Sequence, residues 1–290
     1  MSLIKNIGIT ADSIIDLRKE TIKRHNIGIV PLHLVVGTTG ESYLDGEISN
    51  EELFELADKK DVGTSAPNPQ EYCDKFEKSL KDYEHLIHFN ISSKISSSHD
   101  NAMIAREHIG ADKVTVIDTK SCTIAAGLIL LNAIDHMQNA EELDQLINQV
   151  KDDIDHTELL FILHTARYAK KGGRFGPSLA NALETLNVRP VMKMKDGEFI
   201  KAAIKRGSTP KIAPRVFNEV LKNTDEIDFN RILLASSNTN DDEELNRIIE
   251  LVPNTQKANH IETSTAGQII SNHAGPDTYA IAYTKKKKIN

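Results

Sequence analysis

Apolar positions in the first half of the chain switch repeatedly between a strand-like and a helix-like period. The runs Leu3–Thr10, Leu86–Phe89 and Val114–Ile117 are short and β-rich, the first interrupted by Lys5 and Asn6, and each reads as a strand. Helix signals stand between them. Ser13 with Asp16 three positions on predicts a helix reaching about His25. Ser49 and Glu52 form a capping box ahead of the helix Glu51–Lys60. Asn68, Pro69 and Glu71 supply N-cap, N1 and N3 for a helix to about Tyr83. Further helices are expected from about Ser97 to Ile109, from Thr123 onward, and over Leu143, Ile147, Val150 and Ile154 to about His156. Ile27–Val36 reads as extended chain around Pro31. This alternation predicts a parallel sheet with helices on both faces.

After His156 the pattern changes. Leu159–Leu163 is a strand, and Met192–Met194 and Phe199–Ala203 flank Lys195-Asp196-Gly197, a hairpin signal centred on Asp-Gly. A helix at about Lys211–Lys222, a strand at Arg231–Ala235, a helix near Asp242–Leu251 and strands near His260 and at Tyr279–Tyr283 follow. A hairpin among mixed elements predicts a mixed sheet with helices on one side. The fold expected is therefore α/β in two domains: an α/β/α parallel-sheet domain over residues 1–156 and a two-layer mixed-sheet α/β domain over 157–290.

Composition narrows the function classes. Two domains suit 290 residues. The hydrophobic fraction is 39% but aromatics are only 5%, so cores of Ile, Leu, Val and Ala are expected. A formal charge of −7 argues against nucleic-acid binding, which needs a basic face. Cys73 and Cys122 have neither CxxC spacing nor disulfide-framework density, which points to a reducing, cytoplasmic setting. The amino terminus lacks the pattern of a signal peptide. The longest apolar run, Thr123 to Ala133, is short of a membrane span. Lys285–Lys288 reads as a solvated tail, with transient contact to anionic lipid the most it would make.

Ligands of open α/β sheets bind beyond the carboxyl ends of strands, and the ends here are small and polar. They read Thr10-Ala11-Asp12-Ser13, Ser92-Ser93, Asp118-Thr119, His164-Thr165 and Ser236-Ser237. Ser92–Ser98 is the densest stretch; its hydroxyls and the following helix amides suit a small anion. Helix capping explains Ser96 or Ser97 but not Ser92 and Ser93. Thr64-Ser65 occupies a turn before Pro67, and Asp12 either orients a ligand or makes an Asx-type backbone contact. Lys170-Lys171-Gly172-Gly173-Arg174 reads as a phosphate nest or as an exposed loop, and His273 as a loop residue before Ala274-Gly275-Pro276. GxSxG, HExxH and GxGxxG are all missing.

In their order along the chain, these motifs resemble the DegV family of bacterial fatty-acid-binding proteins over essentially the whole length. Ile9–Ser13 is similar to the family's opening strand end, and Thr64-Ser65 with Pro67 and Pro69 to its Thr-Ser-x-Pro turn. Ile91–Ser96 looks like the central serine motif, and Val116–Thr119 like the next strand. Arg167–Arg174 resembles the stretch opening the second domain, and Asn272–Pro276 the closing Thr-His-x-Gly-Pro loop. The chain departs from the pattern at Ser97 and Asp277, where glycines are usual, and at Val188-Arg189-Pro190-Val191, where Ile-Lys-Pro-Ile is usual.

The resemblance implies a long-chain fatty acid in a cleft between the domains, with no other cofactor and no metal. Its carboxylate would be held by Thr64 and Ser93 with His273 nearby; Ser65, Ser92 and Arg174 are further contact candidates, and Arg206 would lie at the mouth. It also implies a non-enzymatic carrier that presents the acid to a separate dihydroxyacetone-kinase-like subunit, which makes an acyl-phosphate for phospholipid synthesis. Burying about 16 carbons at about 0.8 kcal/mol each gives roughly 12 kcal/mol gross. Association consumes much of that and leaves micromolar or better affinity. Two other readings stand beside it. One is a hydrolase or phosphotransferase acting alone through a site serine, and the other is a phosphorylated-metabolite site at Gly172-Gly173-Arg174.

Overall fold

The computed structural model describes residues 6–38, 40–175 and 188–287. In the first half the elements are β1 (Ile7–Asp12), α1 (Lys19–Arg24), β2 (Gly28–Val30), β3 (His33–Val36), β4 (Glu41–Leu44), α2 (Asn50–Lys59) and β5 (Val62–Ser65). They continue with α3 (Pro69–Ser79), β6 (His85–Asn90), α4 (Ser98–Ile109), β7 (Val114–Asp118), α5 (Thr123–Met137) and α6 (Leu143–His156). The second half holds β8 (Thr157–Ile162), α7 (Arg167–Gly172), β9 (Val188–Lys195), β10 (Glu198–Arg206) and α8 (Thr209–Leu221). It closes with β11 (Ile227–Ser236), α9 (Asp242–Glu250), β12 (His260–Thr265), α10 (Gln268–Ala274) and β13 (Tyr279–Lys285). Leu3 to Lys5, where the first strand was expected to begin, and Lys288 of the lysine run lie outside the described residues.

Three sheets result. A parallel sheet runs β2-β1-β6-β7, and a mixed sheet runs β10-β9-β8-β13-β11-β12, in which only β11 and β12 pair in parallel. The third, β4-β3-β5, is small and antiparallel. It divides Ile27–Val36, expected as one extended run: β2 joins the parallel sheet and β3 the small one. Every residue of β1 is buried, Thr10 and Asp12 included.

The layers follow from which faces are apolar. Tyr72, Phe76, Ala102 and Ala105 of α3 and α4 pack with Leu86 and Val114 on one face of the parallel sheet. On its other face lies α5, whose ten buried residues make it apolar on every side as far as Leu131, with Asn132, Asp135 and His136 polar only near its end. That helix reaches β6 in the parallel sheet and β8, β11 and β13 in the mixed one. A helix apolar all round is buried all round; burying Leu128 or Leu130 contributes about 1.5–3 kcal/mol each. One apolar cluster accordingly runs from Ile9 and Phe89 through Ile129 to Leu159 and Ala282. Phe217 of α8 and Ile248 of α9 close the far face of the mixed sheet over Ile232 and Ile281. Among the described residues no helix is long and apolar enough to cross a membrane.

Two capping boxes form as the sequence predicts, at Ser49/Glu52 and at Asn68/Glu71. Ser13 does not cap a helix. Its hydroxyl donates to Asp45 at 2.7 Å, a short 3-10 turn follows, Asp16 turns left-handed at φ 44°, and α1 begins only at Lys19. Lys170-Lys171-Gly172 lies in the short helix α7, and His273 lies on α10 rather than in a loop.

Candidate functional site

The elements around the junction of the sheets enclose a cavity of about 270 Å³. Its inner wall is carbon: Leu32, Leu159, Ala235, Ala266, Ile269 and Ala280. Phe161, Phe175 and Phe199 form an aromatic side, with Phe175 stacked on Phe199 at 4.5 Å between centroids and Phe161 edge-on to Phe199 at 5.6 Å. Hydroxyls in the depth are already satisfied. Ser237 donates to the Gly275 carbonyl, Thr278 to that of Ala274 and Thr123 to the Asp16 carboxyl group. Cys122, also on the wall, has its thiol held protonated by burial.

The other end is polar and opens outward. Thr64 and Ser65 end β5, Ser96 and Ser97 lie in the turn before α4, Arg174 follows α7, and His273 comes from α10. Ser65, Ser97 and Arg174 are exposed, whereas the inner wall is buried. His273 Nε2 lies 2.9 Å from Thr64 Oγ1, and its Nδ1 is buried without a partner among the described residues. Burial, reinforced by Arg174, pushes the imidazole pKa down to about 4, so the ring is neutral near pH 7. Placing its proton on Nε2 avoids a buried orphan N–H. Thr64 then accepts from His273 and keeps its own O–H to donate into the cavity. Ser96 Oγ accepts the Ser98 amide at 3.2 Å and faces Ser98 Oγ at 3.0 Å. Arg174 is braced by the Gly172 carbonyl at 2.9 Å and reaches toward the Ile95 carbonyl.

Thus Thr64, Ser65, Arg174 and His273 come together, and four other sequence candidates stand apart. Ser93 is exposed outside the cavity. Its hydroxyl donates to the Asp118 carboxylate at 2.5 Å, and a second carboxylate there would meet like charge. Ser92 is wholly buried and donates to the Gly197 carbonyl at 2.7 Å, tying the β9–β10 turn to the serine turn. Arg206 ends β10 opposite Val188, exposed and off the cavity lining. Asp12 neither touches the cavity nor makes a local Asx contact. Fully buried, it accepts from Tyr72 Oη at 2.7 Å, Asn90 Nδ2 at 3.1 Å and the Ile91 amide at 2.9 Å, which anchors the serine turn. Capping was one expected role for Ser96, but the N-cap of α4 is Ser97; Ser96 precedes it, accepts the Ser98 amide and lines the cavity. The three phenylalanines, on β8, after α7 and on β10, share no sequence pattern.

Helix α10 holds its N-terminus through distant carboxyl groups. The Gly267 amide donates to Asp16 Oδ1 at 2.9 Å, and the Gln268 amide to Asp45 Oδ1 at 2.9 Å. Burial is the main force on Asp16, whose pKa is pushed up to about 8, and Asp45 nearby adds to the rise. Asp45 is itself raised by burial. The pair fixes the start of the helix whose last turn carries His273.

Parallel and mixed sheets stacked on a shared helix define an α/β protein whose apolar cavity ends in hydroxyls. The chain belongs to the DegV family: that family's model, described as uncharacterised protein, DegV family, matches residues 6–286. A DegV domain-containing protein of Caldanaerobacter subterraneus subsp. tengcongensis is 29% identical over 285 residues, covering 98% of this chain and 100% of its own. Solved structures share the fold. A fatty-acid-binding DegV family protein of Thermus thermophilus superposes with a TM-score of 0.85 at 24% identity, covering 97% of this chain and 100% of that one. A stearic-acid-binding protein of Eubacterium ventriosum gives 0.81 at 22% identity, covering 97% and 98%. A DegV family protein of Eubacterium eligens loaded with heptadecanoic acid gives 0.83 at 17%, covering 97% and 100%.

Proposed function

We propose that this chain binds a long-chain fatty acid, tail inward, with the carboxylate at Thr64, Ser96, Arg174 and His273. The observation that carries the reading is the polarity of the cavity: hydroxyls are self-satisfied in its depth and available only at its open end. A buried carboxylate is costly unless donors meet it, and the Thr64 and Ser96 hydroxyls with the Arg174 guanidinium are such donors. The N-terminal end of α4, which begins at Ser98 beside the mouth, adds favourable potential for an anion. The fatty acids of the Thermus and Eubacterium proteins support the same ligand class for this chain.

The exposed end is also the reactive end. A carboxylate there faces outward, where a separate kinase subunit of the dihydroxyacetone-kinase-like class would phosphorylate it to an acyl-phosphate for phospholipid synthesis. This chain then acts as a carrier and not as the catalyst. The stand-alone hydrolase reading is weaker, because His273 Nδ1 meets no carboxylate to orient the ring as a nucleophilic triad requires. Protein purified from a bacterial host and extracted under denaturing conditions should release a stoichiometric C14–C18 acid on mass spectrometry. Repeatedly empty preparations that palmitate does not stabilise thermally would sink the proposal.

A further inference from the structure

Gly172 ends α7, and its backbone is outside the left-handed region, so no turn there requires glycine. Inside a helix glycine is a poor choice beside alanine. The reason for it lies on the neighbouring helix α10, which packs directly against α7. A Cβ built on Gly172 would stand 2.0 Å from His273 Nδ1, 2.8 Å from Cε1 and 3.1 Å from Cγ. The contact is with the body of the ring, not the end of a flexible chain, and Thr64 holds the ring's other side. The packing is reciprocal: a Cβ on Gly275, just beyond α10, would stand 2.5 Å from the Tyr168 ring on α7. Gly172 also gives its carbonyl to Arg174 Nη1 at 2.9 Å, and Gly173, left-handed at φ 64°, turns the chain so that Arg174 folds back.

We infer that Gly172 is a positioning residue for the site: its bare α-carbon is the seat of the His273 imidazole, and its carbonyl aims Arg174 at the same mouth. The Gly-Gly-Arg stretch thereby serves the carboxylate end of the cavity and is not a separate phosphate nest. The inference deepens the fatty-acid reading and rests on it for its binding test, while a spectroscopic test is free of the ligand.

The binding test is a double-mutant cycle with cis-parinaric acid, titrated by fluorescence into delipidated protein. Gly172→Ala should weaken binding about tenfold with His273 present. In a His273→Ala background the same change should alter binding less than about twofold, because the clash has gone. Equal losses in both backgrounds, or no loss in either, would overturn the inference. If Gly172→Ala does not fold, the double variant should; failure of both to fold counts against the seat equally. In labelled-histidine NMR the wild-type ring should stay neutral down to about pH 4, and in Gly172→Ala it should titrate nearer 6.5. An unchanged His273 resonance would overturn the inference whether or not fatty acid binds. A wild type that fails to bind cis-parinaric acid but shows the NMR change would count against the fatty-acid reading alone.

Discussion

Ser93 and Ser96 are three residues apart in one turn, yet their surroundings separate them completely. Ser93 has spent its proton on Asp118 and faces water; Ser96 accepts the Ser98 amide at the start of α4 and faces the cavity. Sequence order cannot distinguish them, because which hydroxyl turns inward depends on the Asp12 contact to Ile91 and the Ser92 contact to Gly197. Both partners are more than 75 positions away. A hydrogen bond to a charged group contributes about 1.5–3 kcal/mol. Ser96→Ala and Thr64→Val should therefore each weaken fatty-acid affinity by about 10- to 100-fold. Ser93→Ala should leave it unchanged, and a comparable loss for Ser93→Ala in the same calorimetric titration would return that residue to the site.

Among the elements, legibility tracks where the capping group sits. α2 and α3 carry their own capping boxes, and their starts were readable to within a residue, although α3 ends at Ser79 rather than near Tyr83. α10 was not. It is seven residues long, begins after a glycine and has its N-terminus held by Asp16 and Asp45, more than 220 positions away. The predicted cap at Ser13 failed for the same reason in reverse, since its hydroxyl is committed to Asp45. The arrangement has a pH signature. Asp16 has a folded pKa of about 8 against an ordinary 3.8. Its stabilising contribution is complete below about pH 4 and is lost as pH rises toward 8, because the unfolded chain releases the proton first. Asp16→Asn keeps a neutral amide in place and should remove that slope. The wild type should lose at least about 1 kcal/mol relative to the variant between pH 5 and pH 8, roughly 2–4 °C in midpoint. Parallel melting curves for the two proteins across that range would refute the buried-acid account.

For the molecule as a whole, the alternation of strand and helix in the first half and the Asp-Gly hairpin in the second foretold a parallel and a mixed sheet. What they did not foretell is that α5 belongs to both sheets, because a helix apolar on every side as far as Leu131 names no partner. Nor did they show the small sheet, whose strands are too short for a period to register. The cavity is a product of this stacking. Its walls come from β8, β10, β11, β12–α10 and the β5 and β6 ends, and its polarity gradient exists only once they are assembled. That gradient is the central claim, and the direct measurement is calorimetric titration of delipidated protein with hexadecanoate and with hexadecanol, which share a tail and differ in the head. The account predicts micromolar or tighter binding of hexadecanoate and at least about tenfold weaker binding of the alcohol. Equal affinity for the two, or no binding of hexadecanoate, would contradict it.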